Sequence, residues 1–262
     1  MQYFDTHAHY TDERFSSEYI GGADKLLQEL FMGDVRYIVN VATNMNNALD
    51  VIDQAAKHHQ MFAAVGIHPS DCVDFPDIEI QLQKLRSLLD RRKNNKIVAL
   101  GEIGLDYYWD TEHKDLQKEY FTKQLDIACE YDIPVIIHSR DANGDTFEIL
   151  IQYDNLKGVL HSFSGSPEMA LELTKRGWFI SFSGVISFKN ARKAREVASV
   201  IPSDKILIET DCPYLTPEPF RGKLNRSDYL SYTLNALANA RNEDPLVLAD
   251  TVFQNSCNFF GI

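Results

Sequence analysis

Residues 134–161 read PVIIHSRDANGDTFEILIQYDNLKGVLH. Two short apolar, β-branched runs, Pro134–His138 and Gly158–His161, each end in a histidine followed by serine, and an amphipathic stretch, Thr146–Tyr153, separates them. A short apolar strand, a helix and another short apolar strand are the parts of a βα unit in a parallel sheet covered on both faces. One histidine closing a buried strand is ordinarily structural. Two at the same place in successive units point to a shared task at one edge of the sheet.

The same alternation runs outward to both ends of the chain. Further strands are expected at Tyr3–His7, Tyr37–Val41, Phe62–Val65, Ile97–Leu100, Trp178–Phe182 and Ile206–Ile208. Helical patterns fall between them at Ala23–Phe31, Ala48–His58, Ile80–Arg91, Asp115–Glu130, Pro167–Arg176 and Ala191–Val200, and two more follow near Ser227–Arg241 and Pro245–Phe259. Such a series fits either an open doubly wound sheet or a closed barrel. The polar residues decide between them. His7, His9, His68, Glu102, His138, His161 and Asp211 stand at or just beyond the C-terminal ends of different strands. In an open sheet the first and last strands would lie tens of ångströms apart, at on the order of 5 Å per strand. In a barrel all strand ends converge on one mouth. The expectation is therefore an α/β chain forming one domain over residues 1–262, a single (β/α)8 TIM barrel with its site at the C-terminal mouth of the strands.

Three motifs carry chemistry of their own. In Phe4-Asp5-Thr6-His7-Ala8-His9, side chains two apart on a strand share a face, so His7 and His9 are placed to grip one cation through imidazole nitrogens. The alternative is two unrelated polar residues at a strand end. In Ala99-Leu100-Gly101-Glu102-Ile103-Gly104-Leu105-Asp106, an apolar strand runs into an acid held between two glycines, which let the backbone bend and a metal approach. The two oxygens of Glu102 could bridge two cations, whereas Asp106 is expected to cap a helix, lie in a loop or support a ligand. In Ile206–Tyr214, Asp211 follows the last strand and can both ligate a metal and accept a proton. Glu209 either faces away or buttresses a histidine. Cys212 reads as a small packing residue, because no nucleophile elbow surrounds it.

The bulk composition sets outer limits. The chain is 44% hydrophobic and 24% charged, ordinary for a globular protein. Lys and Arg number 26 against 38 Asp and Glu, a formal charge of −12, which works against nonspecific binding to polyanions. A phosphate-bearing substrate would need bound cations and a local basic patch. No apolar run approaches the ~18 residues that span a bilayer. Met1-Gln2-Tyr3-Phe4-Asp5 lacks basic and apolar leader character, so a cytoplasmic location is expected. Cys72, Cys129, Cys212 and Cys257 are widely spaced, which favours free thiols and argues against a zinc ribbon.

The motifs together are more specific than any one of them. Paired histidines on the first strand, histidines on the fifth and sixth and an aspartate on the eighth resemble the amidohydrolase superfamily. The strings FDTHAH, GIHP, GEIGLDYY, VIIHSR, HSFSG and ETDCPYL, in order from Phe4 to beyond Arg221, resemble the TatD family of metal-dependent deoxyribonucleases. That resemblance implies a barrel that hydrolyses DNA or another phosphodiester with two or more divalent metal ions, Zn, Mn, Mg or Co. It implies His7, His9, Glu102, His138, His161 and Asp211 as metal ligands, with Glu102 bridging and Asp211 also activating water. It places His68 near the site, against a substrate phosphate or the leaving group, and makes Arg140, Arg221 and Lys223 phosphate-contact candidates. Three departures touch substrate reading and spare the ligands. GIHP is followed by Ser70-Asp71 without a second histidine, Tyr10 stands where leucine is frequent, and Lys223-Leu224-Asn225-Arg226-Ser227 replaces an RNEP-like stretch.

Two other readings compete. An amidohydrolase acting on a C–N or carboxylic ester bond would share most ligands, but its usual bridge is a carboxylated lysine, and Val98–Asp106 contains none. A small phosphate-ester hydrolase would use the same residues. A non-enzymatic binding protein on the same fold is disfavoured by the complete ligand set. Tyr107, Tyr108 and Trp109 could stack on bases, though packing of their own loop is the favoured expectation. Neither a membrane nor an obligate protein partner is indicated.

Overall fold

The β-branched runs all become parallel strands, in the computed structural model that describes residues 1–262. They are β1 (Tyr3–Ala8), β2 (Val35–Val41), β3 (Met61–Val65), β4 (Ile97–Asp106), β5 (Val135–Arg140), β6 (Gly158–Leu160), β7 (Phe179–Phe182) and β8 (Ile206–Ile208). Helices α1 (Glu13–Glu18), α2 (Gly22–Met32), α3 (Ala48–Lys57), α4 (Ile78–Leu89), α5 (Lys114–Tyr131), α6 (Asn143–Leu150), α7 (Pro167–Lys175), α8 (Arg192–Val200), α9 (Leu230–Arg241) and α10 (Pro245–Phe260) surround them. The strands pair in sequence order from β1 to β8. The ring is drawn shut just beyond β8: Ala8 bridges Cys212, the amide of His9 donates to Cys212 O at 2.8 Å, and that of Asp211 donates to His7 O at 2.9 Å. No helix is long and apolar enough to cross a membrane.

Two layers of apolar packing hold the assembly. The larger joins outward strand residues such as Tyr3, Ile38, Leu100 and Ile137 to the helices. The smaller fills the barrel interior with Phe4, Val39, Val41, Ala64, Ala99, Ile136, Val159 and Leu207. Phe259 and Phe260 at the end of α10 join this interior layer, and Phe260 lies 5.5 Å from the ring of Phe4. The interior is thus a packed core, as expected of a barrel of this size.

The structure departs from the sequence reading in two places. Helix α1 escaped it because a six-residue segment with one buried apolar side chain, Phe15, is too short to show a period. Strand β4 runs on to Asp106 and does not end at Leu100, so Glu102 lies within the strand and not at its end. Gly101 and Gly104 were expected to let the backbone bend and a metal approach, and both are demanded by close contact with β5. A Cβ on Gly101 would stand 2.8 Å from the Ile136 side chain, and one on Gly104, at φ +143°, would stand 2.0 Å from His138 O.

Candidate metal centre

The interior alternation of the strands aims the polar residues. On β5, Ile136 faces inward and so does His138 two residues on. Val159 and His161 repeat this at the end of β6 and Leu207 and Glu209 at the end of β8, whereas His68 follows β3 as the cap of a short 3-10 helix, Pro69–Asp74. Strands β1 and β4 break the count, since Phe4 and His7, like Ala99 and Glu102, are three residues apart. Each of these strands carries a register shift within that interval, between Asp5 and Ala8 and between Leu100 and Ile103. The extra residue turns His7 and Glu102 inward, as a β-bulge does.

The result is a buried cluster centred on Glu102. Its Oε1 lies 2.7 Å from His161 Nε2, 2.8 Å from His138 Nδ1 and 3.7 Å from His68 Nε2. Its Oε2 lies 3.4 Å from His7 Nε2 and 3.8 Å from His9 Nε2. Asp211 closes the other side, with Oδ1 3.3 Å from His9 Nε2 and 3.7 Å from His7 Nε2. Three groups are compact enough to hold an ion, with ligand atoms within 4.8 Å of one another: His7, His9 and Asp211; His7, Glu102 and His161; His68, Glu102 and His138.

Outer hydrogen bonds settle which nitrogen faces inward. His9 Nδ1 donates to Val41 O at 3.0 Å, His161 Nδ1 to Glu209 Oε1 at 3.1 Å, and His138 Nε2 to Asp106 Oδ2 at 2.9 Å. Each ring therefore presents a lone pair to the centre. Asp106 is itself held by the amides of Tyr108 and Trp109, and Glu209 by that of Ser162. His68 is turned the other way. Its Nδ1 accepts from the Ser70 amide at 3.1 Å, which leaves the proton of the neutral ring on the inward Nε2. Burial pushes the pKa of His68 down to about 3, so the ring stays neutral.

The donor set fits divalent cations. The imidazole lone pairs of His138 and His161 oppose each other across 3.1 Å, a repulsive arrangement unless positive charge lies between, and His7 Nε2 stands 3.0 Å from His9 Nε2. His7 Nδ1 is buried without a partner. Mixed nitrogen and oxygen ligands suit Zn, Mn, Mg or Co.

The cluster opens into a cleft with two lobes. One, of about 470 Å³, is lined by His9, His68, Asp106, Trp109, Arg140 and Tyr214. The other, of about 440 Å³, shares His138, Arg140, His161 and Asp211 and extends past Ser162, Val185 and Lys193. The guanidinium of Arg140 lies 3.8 Å above the ring of Tyr108 and 5.6 Å from that of Trp109. Packing holds for Tyr107, whose hydroxyl donates to Asp145 at 2.6 Å. It does not hold for Tyr108 and Trp109, which are 54% and 69% exposed because their backbone, tethered to Asp106, turns them out over the mouth. Arg221 and Lys223 are not brought into either lobe. Arg221 lies over Phe188 at 4.3 Å and Lys223 near Phe220 at 5.7 Å. Lys193 was not anticipated, since a lysine in an amphipathic helix carries no signal that separates it from other surface lysines.

A parallel barrel with a His/Glu/Asp cluster at the mouth of its strands defines a class of metal-dependent hydrolases, and comparison with known proteins narrows it. The chain belongs to the TatD-related DNase family, whose model matches residues 4–261. It is 36% identical to the Bacillus subtilis uncharacterized metal-dependent hydrolase YabD across 99% of both chains. It is 37% identical to Escherichia coli YcfH, described in the same words, over 85% of this chain and 82% of that one. The crystal structure of the Escherichia coli TatD homologue YjjV superposes with a TM-score of 0.90 at 30% identity, covering 99% of this chain and 98% of that one. The protein is thus a metal-dependent hydrolase of the TatD family.

Proposed function

We propose that the protein is a phosphodiesterase of nuclease type acting on DNA, with His7, His9, Glu102, His138, His161 and Asp211 as ligands to two or more divalent cations. The observation that carries the reading is the division of Glu102, whose two oxygens reach into separate groups of imidazoles. Bound divalent cations would supply charge against the phosphate and acidify water. Asp211, on the rim of the cluster, is placed to take the proton of the attacking water. His68, neutral with Nε2–H facing inward, is placed to donate a hydrogen bond to the departing oxygen, which takes its proton from water. Arg140 contacts a phosphate, and Arg221 and Lys223 meet flanking phosphates further out. Tyr108 and Trp109 offer bases a surface on the His68 side of the cluster.

The test begins with metal-stripped protein, a single-stranded DNA oligonucleotide and bis(4-nitrophenyl) phosphate, with Mg2+, Mn2+, Co2+ or Zn2+ restored in turn. Cleavage of both substrates returns with at least one ion, and Asp211→Asn lowers it by about 10²–10⁴-fold. Glu102→Ala binds fewer ions per chain by mass spectrometry. Absence of cleavage with every ion, although ions bind, would reassign the scissile bond to an amide or carboxylic ester. Full activity in folded Asp211→Asn would remove that residue from the chemistry.

A further inference from the structure

The lobe bounded by Ser162, Val185 and Lys193 has no part in the hydrolytic steps described above, although its floor is shared with the metal ligands. Its walls are mostly uncharged: Phe163, Val185, Ala191, Ala194 and Leu215 provide apolar surface, and Ser139, Ser162 and Ser164 line it with hydroxyls. Its volume, about 440 Å³, is that of a small-molecule site and fits one nucleoside, not a duplex. The wall is held rigidly. Arg195 donates from one nitrogen to Ile186 O and Phe188 O, at 3.2 and 2.8 Å, and from another to Lys189 O at 3.1 Å, pinning the loop that carries Val185 and Asn190. A side chain at Gly165 would strike Phe163 at 2.3 Å, so the opposite wall leaves no space to spare.

The basic residues at the start of α8 are used differently from one another. Arg192 pairs with Glu196 at 2.8 Å, and Arg195 serves the loop, whereas Lys193 has no carboxylate partner and alone of the three lines the lobe. Arg140 also lines the lobe. In a chain of net charge −12, two cations flanking a cluster of metal ligands mark an anion's position. His68 lines only the other lobe, so a leaving group hydrogen-bonded to it departs on that side. The part of the substrate that keeps its phosphate must then extend toward Lys193.

We infer that this lobe holds the nucleoside that remains attached to the cleaved phosphate, with Lys193 as the cation that recognises that phosphate, so that a nucleoside monophosphate is both product and ligand of the site. The inference rests on the phosphodiesterase reading for the reaction and on the cavity for the binding, and the two are measured separately. Thymidine monophosphate is titrated calorimetrically into metal-loaded wild type, Lys193→Ala, Lys193→Arg and the lobe-filling Ala194→Phe. Binding is expected to weaken about tenfold in Lys193→Ala, to recover in Lys193→Arg and to be lost in Ala194→Phe. For bis(4-nitrophenyl) phosphate, which carries the phosphate without a nucleoside, Lys193→Ala also lowers kcat/KM, whereas Ala194→Phe lowers it less than it does for a dinucleotide. For a dinucleotide, KM rises while kcat is kept. Nucleotide binding that is absent, or unchanged in both Lys193→Ala and Ala194→Phe, overturns the assignment. Lys193-dependent binding in a protein that cleaves no phosphodiester upholds the lobe and overturns the reaction instead.

Discussion

Asp106 and Glu209 show how much of this site depends on residues one step removed from the cations. Each carboxylate holds the outward nitrogen of an inward-facing imidazole, His138 in one case and His161 in the other. Loss of such a partner typically lowers metal affinity by about 10–100-fold. Glu209→Gln is therefore expected to weaken cation binding in that range, read by competition with a chromogenic chelator, while circular dichroism stays that of the native fold. An unchanged affinity would reduce Glu209 to packing. The candidate ligands were legible in the sequence because histidine, glutamate and aspartate at buried strand ends are costly without a task. Their supports were only half legible. Asp106 could be given a supporting place and Glu209 one of two, because the choice depends on which ring nitrogen points inward, and that is set across strands far apart in sequence. Lys193 was invisible, since its meaning lies in the cavity it borders.

Strands, helices and their order were readable from short apolar runs separated by amphipathic ones, and the barrel from the places where polar residues interrupt them. The bulges were not. Strict alternation from Phe4 would turn His7 outward, and from Ala99 it would turn Glu102 outward, so the inserted residue in β1 and in β4 is what delivers both to the centre. The extent of β4 was missed for a related reason: a glycine that breaks a strand and a glycine that lets two strands touch look alike in one dimension. Two substitutions separate these roles. Gly104→Ala forces a methyl group against His138 O at an unfavourable φ, and is expected to cost about 3 kcal/mol or more in urea unfolding. Gly144→Ala in α6, where nothing lies within 4 Å, is expected to gain about 0.4–1 kcal/mol. Equal effects would mean that the contact with β5 does not constrain the strand.

At the level of the molecule, the candidate ligands come from β1, β4 and β5 and from the segments just after β6 and β8, so cations joining them would tie both sides of the ring together and stabilise the barrel. A cation held only by the folded state, at a concentration of ~100 times its dissociation constant, stabilises by about 2.7 kcal/mol. For a chain of this size that corresponds to a Tm change of roughly 5–10 °C. Scanning calorimetry with saturating Mn2+ and then with excess chelator should show a fall of that order. An unchanged Tm across all candidate ions would mean that no cation bridges these strands.

The seam that shuts the barrel joins His7 and His9 to Asp211 and Cys212, segments separated by about two hundred residues of chain. During synthesis the paired histidines leave the ribosome first. At elongation rates of ~5–20 residues per second they wait roughly ten to forty seconds for the aspartate that completes their group. Nascent chains therefore carry an open, imidazole-bearing edge strand until the segment beyond β8 has been made, and the group formed by His7, His9 and Asp211 cannot be completed before then.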